Sequence, residues 1–228
     1  MMAPTGQDKR AFAEWNEEMV ERYDIDRYYR EARGIVRWIE DKRLAALQRL
    51  ADAHPRDRVL EVGCGGGHVL EHFVQGRRFG VDLSENMLER AAKRLRGGAS
   101  LMRASADALP FKAGSFDVVL CTEVLEHVPD PTAVIRELLR VSAPGARVVV
   151  SIPNEHNIDL AKRVLRRTPV LSRLLRHLAS EGNEWHLHHF DWQMLERNVS
   201  GIGRIRERVA IPNRIMPIRY VATLEAIR

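Results

Sequence analysis

The amino-acid sequence predicts an α/β protein built on a doubly wound, mostly parallel sheet with an antiparallel closing strand. Short apolar runs alternate with helix-forming segments over residues 58–152, and parallel strands require crossover segments of this kind. The first apolar run ends in a glycine-rich turn, which is typical of a buried strand that leads into a ligand-binding loop. Two further apolar runs, at residues 204–211 and 219–227, follow each other near the C-terminus and predict a closing strand pair.

The predicted elements begin with helices. Residues 8–53 are polar and carry apolar side chains at roughly helical spacing, which predicts two or three helices. Pro55 then separates an N-terminal helical cap, residues 1–54, from a core over residues 55–228. Within that core, a helical insertion is predicted at about residues 155–200.

Seven strands and four helices are predicted in this core, and the last of these helices belongs to the insertion. The strands are expected at residues 58–62, 79–82, 101–104, 116–121, 146–152, 204–211 and 219–227. The helices are expected at residues 68–75, 85–95, 131–141 and 191–198. Ser84 and Asp191 are the predicted N-caps of two of these helices, because a short side-chain oxygen accepts hydrogen bonds from the free amides of the first turn.

Composition narrows the class of protein. The 228 residues suffice for a core without disulfides or structural metals. The two cysteines form no CxxC pair, which argues against a disulfide scaffold or zinc ribbon and predicts a reducing compartment, the cytoplasm. The net charge of +5, from 36 basic and 31 acidic residues, is too balanced to indicate a nucleic-acid-binding protein. Neither a secretory leader nor a membrane-spanning segment is expected.

The glycine-rich turn predicts a cofactor site. His68 stands where a dinucleotide-binding turn would need glycine, and Glu61 precedes the turn where it would repel a pyrophosphate. A cationic ligand such as S-adenosylmethionine, with its ammonium and sulfonium groups, fits better. Asp82 ends the second strand about 20 residues after the first glycine, where an acid can accept hydrogen bonds from both ribose hydroxyls. A nicotinamide oxidoreductase is the rival interpretation at the level of the fold.

Four successive motifs strengthen this interpretation. The segments at residues 61–67, 80–84, 109–111 and 116–119 resemble, in order and spacing, the motifs of class I S-adenosylmethionine-dependent methyltransferases. This resemblance covers residues 58–153 and implies a Rossmann-like fold, with S-adenosylhomocysteine as the product.

The same resemblance implies a set of cofactor contacts. Glu61 and the glycine turn would hold the methionine end, Asp82 the ribose, and Leu83 with Met87 the adenine. The implied contacts are Glu61, Gly63, Cys64, Gly65, Gly67, Asp82, Leu83, Met87, Ser105, Ala106, Asp107, Cys121 and Glu123. Ser105 replaces the aspartate that the family usually has before Leu-Pro-Phe, so either Ser105 or Asp107 would accept from the adenine amino group, and the Ala106 amide would contact the ring.

A cluster of ionisable residues follows the fourth strand. If this segment is helical, Glu123, Glu126 and His127 share one face. Two carboxylates and an imidazole can bind a divalent cation such as Mg²⁺. A fourth ligand could come from the histidines at 186, 188 and 189, among which His188 is the candidate. The pattern resembles the Glu-x-x-Glu-His of quinone-biosynthesis O-methyltransferases and of small-RNA 3′-end 2′-O-methyltransferases, both metal-assisted. Metal-free members of the family carry a similar pattern. If this chain also binds no metal, Glu126 and His127 would be catalytic without one, or His127 would only form a wall of the site.

The cluster favours an oxygen acceptor. A hydroxyl starts with a pKa of about 10 or higher and benefits from a base or metal, whereas an amine needs only its neutral form. The sequence therefore predicts a methyltransferase for a small, lipophilic, phenolic or quinone-like acceptor. RNA 2′-O-methylation, N-methylation and a non-catalytic cofactor-binding module are the alternatives.

Other features concern the acceptor and partners. The aromatic residues Trp15, Tyr23, Tyr28 and Tyr29 could line the acceptor pocket or simply pack between helices. The segment 160–178 mixes leucine, valine and arginine, and could contact an anionic membrane, a lipophilic acceptor or RNA phosphates, or form a solvated helix face. A monomer or a homodimer is expected.

Overall fold

The computed structural model describes residues 8–23, 25–166 and 185–227. The strands are β1 (Arg58–Val62), β2 (Arg77–Asp82), β3 (Ser100–Arg103), β4 (Phe116–Thr122), β5 (Ser142–Pro153), β6 (Gly203–Ile211) and β7 (Arg219–Ala226). The helices are α1 (Lys9–Arg22), α2 (Ile25–Glu31), α3 (Gly34–Ala51), α4 (Glu85–Leu95), α5 (Pro131–Val141), α6 (Glu155–Arg166) and α7 (Trp192–Val199).

The seven strands form one sheet in the order β3-β2-β1-β4-β5-β7-β6. Strands β1 to β5 pair in parallel, and β7 runs antiparallel to both β5 and β6. The predicted mostly parallel sheet with a closing antiparallel strand is therefore confirmed. The strand order reverses between β1 and β4, and ligands of such sheets bind beyond the carboxyl ends of the strands at this point.

The register brings the ends of the central strands together. Val62, the last residue of β1, pairs with Val81 on β2 and with Cys121 on β4. The residues that follow these three strands consequently meet at one edge of the sheet. This carboxyl edge carries the candidate functional site.

Helices cover both faces of the sheet. On one face α5 and α7 bury Leu138 and Leu195, and on the other α3 buries Leu47 and α4 buries Ala91. Each fully buried leucine contributes about 1.5–3 kcal/mol relative to an exposed one. Helix α5 begins after the N-cap residue Asp130, whose side chain accepts a hydrogen bond from the Ala133 amide at 3.0 Å.

The predicted helix over residues 68–75 is not formed. Only one 3₁₀ turn, Leu70–His72, lies between β1 and β2. The chain turns back at Gly76, where φ is +81° and an added Cβ would lie 2.5 Å from the Asp57 carbonyl oxygen. Because β2 begins at Arg77, directly after this tight turn, residues 68–75 do not continue into a longer helix.

The helices at the N-terminal end of the chain extend over the carboxyl edge of the sheet. Helix α1 is held there at both ends. Lys9 Nζ lies 3.1 Å from Asp107 Oδ2, and Glu17 Oε1 accepts a hydrogen bond from the Asn86 amide at 3.0 Å. One side of α1 therefore faces the candidate site.

Most of the segment 160–178 lies outside the described residues, because residues 167–184 are not among them. Its first part is the second half of α6. Among the described helices, none combines the length and apolar character that crossing a bilayer requires.

Candidate functional site

A cleft of about 140 Å³ opens at the carboxyl edge, beside the glycine-rich turn. It is lined by Phe12, Asn16, Val20, Val62, Gly63, Gly65, Val81, Asp82, Leu83, Met87, Ala104, Ser105, Ala106, Glu123, Val124, His127, Val128 and Trp185. A neighbouring pocket of about 390 Å³ extends towards the start of α5 and shares five lining residues with the cleft. The two pockets therefore adjoin, and together they are called the groove.

The glycine turn brings bare backbone to the cleft. Gly63, at φ +70°, donates from its amide to the Val81 carbonyl at 2.7 Å. An added Cβ at Gly63 would lie 2.3 Å from the Val124 side chain, so a larger residue is excluded. Gly65, at φ +49°, has open space in front of it, because an added Cβ would meet nothing within 4 Å. A ligand can therefore approach the Gly65 backbone closely.

Asp82 is fixed at the middle of the groove. Its Oδ2 accepts a hydrogen bond from the Gly65 amide at 2.8 Å, and its Oδ1 accepts one from the Ser84 amide at 2.9 Å. Each carboxylate oxygen has a second lone pair. Asp82 can thus accept two hydroxyl hydrogen bonds from a ligand without losing its anchors.

The outer part of the groove combines apolar walls with one polar group. Leu83, Met87 and Ala106 line the cleft, and Asp107 lines the adjoining pocket. The Ser105 hydroxyl donates to Asp107 Oδ1 at 2.6 Å. Lys9 and Ser105 together hold the pKa of Asp107 below its usual value, against the opposing effect of burial. Ser105 and Asp107 are thus hydrogen-bonded to each other at the outer part of the groove.

Several predicted cofactor residues lie behind the groove and do not line the cleft. These are Glu61, Cys64, Gly67 and Cys121, whereas Asp107 lines the adjoining pocket. Glu61 is buried, and its Oε1 accepts a hydrogen bond from the Thr122 hydroxyl at 3.1 Å. Burial raises the pKa of Glu61 to about 8. Glu61 Oε2 makes no hydrogen bond within the described residues.

The two cysteines are free, buried thiols. Burial raises the pKa of both, and the nearby carboxylates add to the effect. Cys64 lies in the glycine turn and Cys121 lies within β4. Both contribute to packing beneath the groove.

Glu126, His127 and His186 form a cluster, of which His127 lines the cleft and the other two do not. Their ligand atoms all lie within 4.8 Å of one another. Glu126 is only 1% exposed, and its Oε2 has no hydrogen-bond partner in the described part of the chain. Burial lowers the pKa of His127 to about 3, and His186 adds to this effect. The His127 imidazole is therefore neutral near pH 7 and can serve as an acceptor or a metal ligand.

The segment that carries this cluster is a turn rather than a helix. Glu123 has a left-handed backbone, at φ +53°. Its Oε1 accepts from the Ser151 hydroxyl and its Oε2 from Arg219 Nε, both at 2.8 Å. His188 Nε2 lies 2.9 Å from the Val128 carbonyl oxygen. The structure thus joins Glu126 and His127 to His186, and keeps Glu123 and His188 with other partners.

His186 is in turn oriented by a buried carboxylate. Its Nδ1 forms a short hydrogen bond with Glu155 Oε1, and Glu155 is 2% exposed. His189 lies on the other oxygen of the same carboxylate, at 3.7 Å. A carboxylate of this kind fixes the ring orientation of a histidine that binds a metal or a proton.

The four aromatic candidates for the acceptor pocket do not line the described cleft. Trp15 packs against Phe12, with ring centroids 5.7 Å apart, and Tyr23 stacks on Trp185 at 6.0 Å. Tyr28 and Tyr29 belong to a buried polar network under α3. Residues of the cleft that the sequence analysis did not identify include Phe12, Asn16, Val20 and Trp185. The helical spacing of Phe12, Trp15 and Met19 indicates a helix with one apolar face, and this was the only local pattern that could have pointed to α1 as a wall of the cleft.

In that buried network, tyrosine hydroxyls contact charged side chains. Tyr28 donates its hydroxyl to Glu40 Oε1 at 2.9 Å, and Arg43 donates to Glu40 Oε2 at the same distance. Arg219 Nη1 lies 3.2 Å from Glu40 Oε1. Burial opposes the ionisation of Glu40, but the charges of Arg219 and Arg43 outweigh it and lower its pKa to about 2.

The central part of the chain is similar to known proteins. Residues 60–150 match the family of methyltransferase domains. A ubiquinone biosynthesis O-methyltransferase of Bordetella avium is 39% identical over 126 residues, which are 52% of this chain and 52% of that protein. One from Hahella chejuensis is 42% identical over 130 residues, or 54% and 55% of the two chains. The chain thus matches about half the length of these curated relatives.

A solved structure from Thermotoga maritima, described as an S-adenosylmethionine-dependent methyltransferase, shares the fold. The TM-score is 0.61 at 20% identity, over 92% of this chain and 98% of that one.

Proposed function

We propose that the protein is a class I S-adenosylmethionine-dependent methyltransferase, which the match of residues 60–150 to the methyltransferase domain family supports. Its acceptor is a hydroxyl group of a small, phenolic or quinone-like molecule. The observation that carries this proposal is the cluster of Glu126, His127 and His186, in which His127 lines the cleft. The relatives that match this half of the chain are named ubiquinone biosynthesis O-methyltransferases, which agrees with an oxygen acceptor.

The groove fits S-adenosylmethionine by its own chemistry. Gly65 leaves open space over bare backbone, where the methionine end would approach. Asp82 presents two oxygens to the ribose hydroxyls. Leu83 and Met87 supply an apolar wall for the adenine ring. A nicotinamide dinucleotide fits less well, because a single 3₁₀ turn follows the glycine turn in place of a helix whose N-terminus would bind the pyrophosphate.

Methyl transfer needs little covalent help from the protein. When bound, S-adenosylmethionine would supply its methyl group to a lone pair of the acceptor oxygen, and the electrons of the broken carbon–sulfur bond would stay on sulfur in the product S-adenosylhomocysteine. The acceptor proton must leave to a base. His127 lines the cleft, and its ligand atom lies within 4.8 Å of those of Glu126 and His186, so these three side chains can pass that proton away from the acceptor.

We further propose that Glu126, His127 and His186 hold a divalent cation. When bound, such a cation would lower the pKa of the acceptor hydroxyl. Two imidazoles and one carboxylate suit a transition-metal ion better than Mg²⁺, which prefers oxygen ligands. The unpartnered, buried Glu126 Oε2 supports this assignment, because a buried carboxylate oxygen is costly without a partner.

The test is an assay of the wild-type protein with S-adenosylmethionine and a panel of catechols and hydroquinones, read by mass spectrometry of the product. We expect methylated phenol, and a loss of roughly 100-fold in Glu126→Gln. Glu89→Gln, an exposed acid on α4, is the matched control and should keep full activity. Methylation of amines alone would refute the oxygen acceptor, and the absence of any S-adenosylhomocysteine binding would refute the cofactor.

A further inference from the structure

The imidazole of His68, which follows the glycine turn, is held by helix α2. His68 Nε2 lies 2.6 Å from Asp26 Oδ1. The two side chains are 9% and 16% exposed. A contact of this length between such sheltered groups is a strong, charge-assisted hydrogen bond. It joins the N-terminal helices to the cofactor turn.

Asp26 also accepts hydrogen bonds from two arginines of α4. Arg94 Nη2 donates to Asp26 Oδ1, and Arg90 Nη1 donates to Asp26 Oδ2, both at 3.1 Å. Arg94 Nε donates in addition to the Gly66 carbonyl at 2.8 Å. The peptide of Gly66 is therefore tied to Asp26 through Arg94, and the ring of His68 is tied to it directly.

Tyr29 closes the other side of the imidazole. It lies one helical turn after Asp26 on α2, and its ring stacks on His68 with centroids 4.0 Å apart and an interplanar angle of 14°. Its hydroxyl accepts a hydrogen bond from Arg43 Nη2 at 2.9 Å. Helix α2 thus encloses His68 from its edge and from its face.

These contacts act next to the groups that face the cofactor. Gly65 directly precedes Gly66, and the Gly65 amide is the donor that anchors Asp82. A shift of Gly66 and His68 would move Gly65 and remove that anchor. The geometry points to Asp26 as a positioning residue, which fixes the glycine turn through His68 and Arg94 and thereby sets the affinity for the cofactor. This inference rests on the proposed cofactor, and it adds a role for α2 in binding it.

The experiment is calorimetric titration with S-adenosylhomocysteine of the wild type, Asp26→Asn, His68→Asn, the double variant and Asp26→Glu. We expect Asp26→Asn and His68→Asn each to raise Kd about tenfold, and the double variant to raise it no more than the stronger single variant, because the two residues share one contact. Asp26→Glu should recover part of the affinity, which a general loss of folding stability would not produce. Arg27→Ala, in an exposed pair with Glu31 on the same helix, is the control and should bind like the wild type.

The outcomes separate the inference from the function on which it rests. If the wild type does not bind S-adenosylhomocysteine, the cofactor assignment itself fails. If the wild type binds, and folded Asp26→Asn and His68→Asn bind within about twofold of it, or their effects simply add, the positioning role is overturned. Thermal unfolding confirms that each variant is folded. Should Asp26→Asn fail to fold, His68→Asn carries the same expectation from the other side of the contact.

Discussion

Arg219 donates a hydrogen bond from Nε to Glu123 Oε2 at 2.8 Å, which joins the first residue of β7 to the turn after β4. Arg219 also reaches Glu40 on α3 at 3.2 Å. The closing antiparallel strand, the cap helix and the turn before Glu126 and His127 are therefore connected by one guanidinium. Three segments that are distant in sequence depend on it.

Replacing that guanidinium should destabilise the fold. Arg219→Met leaves the half-buried Glu123 without a cationic partner in the described part of the chain, and leaves the buried Glu40 with Arg43 alone. Removing one member of a buried ion pair costs about 3–5 kcal/mol. Urea unfolding measures the change. Arg49→Ala breaks an exposed pair with Glu207, and its cost should stay below about 1 kcal/mol. Equal losses in the two variants would contradict the role given to Arg219.

The stability of the ligand-free protein should depend on Glu61. Its folded pKa is raised from 4.5 to about 8, so the native state favours the protonated carboxyl. This contribution is fully present below pH 4.5 and is lost as the pH rises through about 8. Between pH 6 and pH 9, Glu61→Gln should therefore lose less unfolding free energy than the wild type, by more than about 1 kcal/mol. Identical pH profiles of the two proteins would contradict the raised pKa.

Asp82→Asn should weaken cofactor binding selectively. The amide offers one acceptor oxygen where the carboxylate offers two, so it cannot keep both backbone anchors and both ribose contacts. We expect Kd for S-adenosylhomocysteine to rise at least about tenfold, since hydrogen bonds to charged groups are worth about 1.5–3 kcal/mol. Asp107→Asn, in the outer groove, should have a smaller effect. The reverse ranking in calorimetry would place the ribose elsewhere.

The choice between His186 and His188 can be tested with Co²⁺, whose visible absorption reports its ligands. The proposed site predicts that Glu126→Gln and His186→Ala each weaken Co²⁺ binding about 10- to 100-fold, as loss of a metal ligand or its support typically does. His188→Ala and Glu123→Gln should keep the wild-type spectrum. Loss of the spectrum in His188→Ala, with none in His186→Ala, would restore the ligand set expected from the sequence.

The bounds of helices that begin at a recognisable N-cap residue were predicted correctly. Helix α5 spans the predicted residues 131–141, because Asp130 and Pro131 define its start, and α4 begins after the predicted N-cap Ser84. Asp82 was identifiable because strand, turn and acid follow at a fixed spacing. The helix predicted at 68–75 failed, because the tight turn at Gly76 depends on the position of Asp57, far from it in sequence.

Contacts between distant segments could not be predicted. No local pattern indicates that Glu123 pairs with Arg219, 96 residues away. The choice of His186 rather than His188 depends on the Glu155 carboxylate, which is on another element. The part of α1 in the cleft, through Phe12 and Asn16, is likewise decided by packing between segments.

The two native thiols also make the protein convenient for site-selective labelling. Cys64 and Cys121 are buried and their pKa values are raised, so little reactive thiolate exists at neutral pH. Ile215 is 95% exposed in the loop between β6 and β7. A cysteine introduced there would react with a maleimide dye ahead of the native pair, which would give a singly labelled, folded protein without first removing either native cysteine.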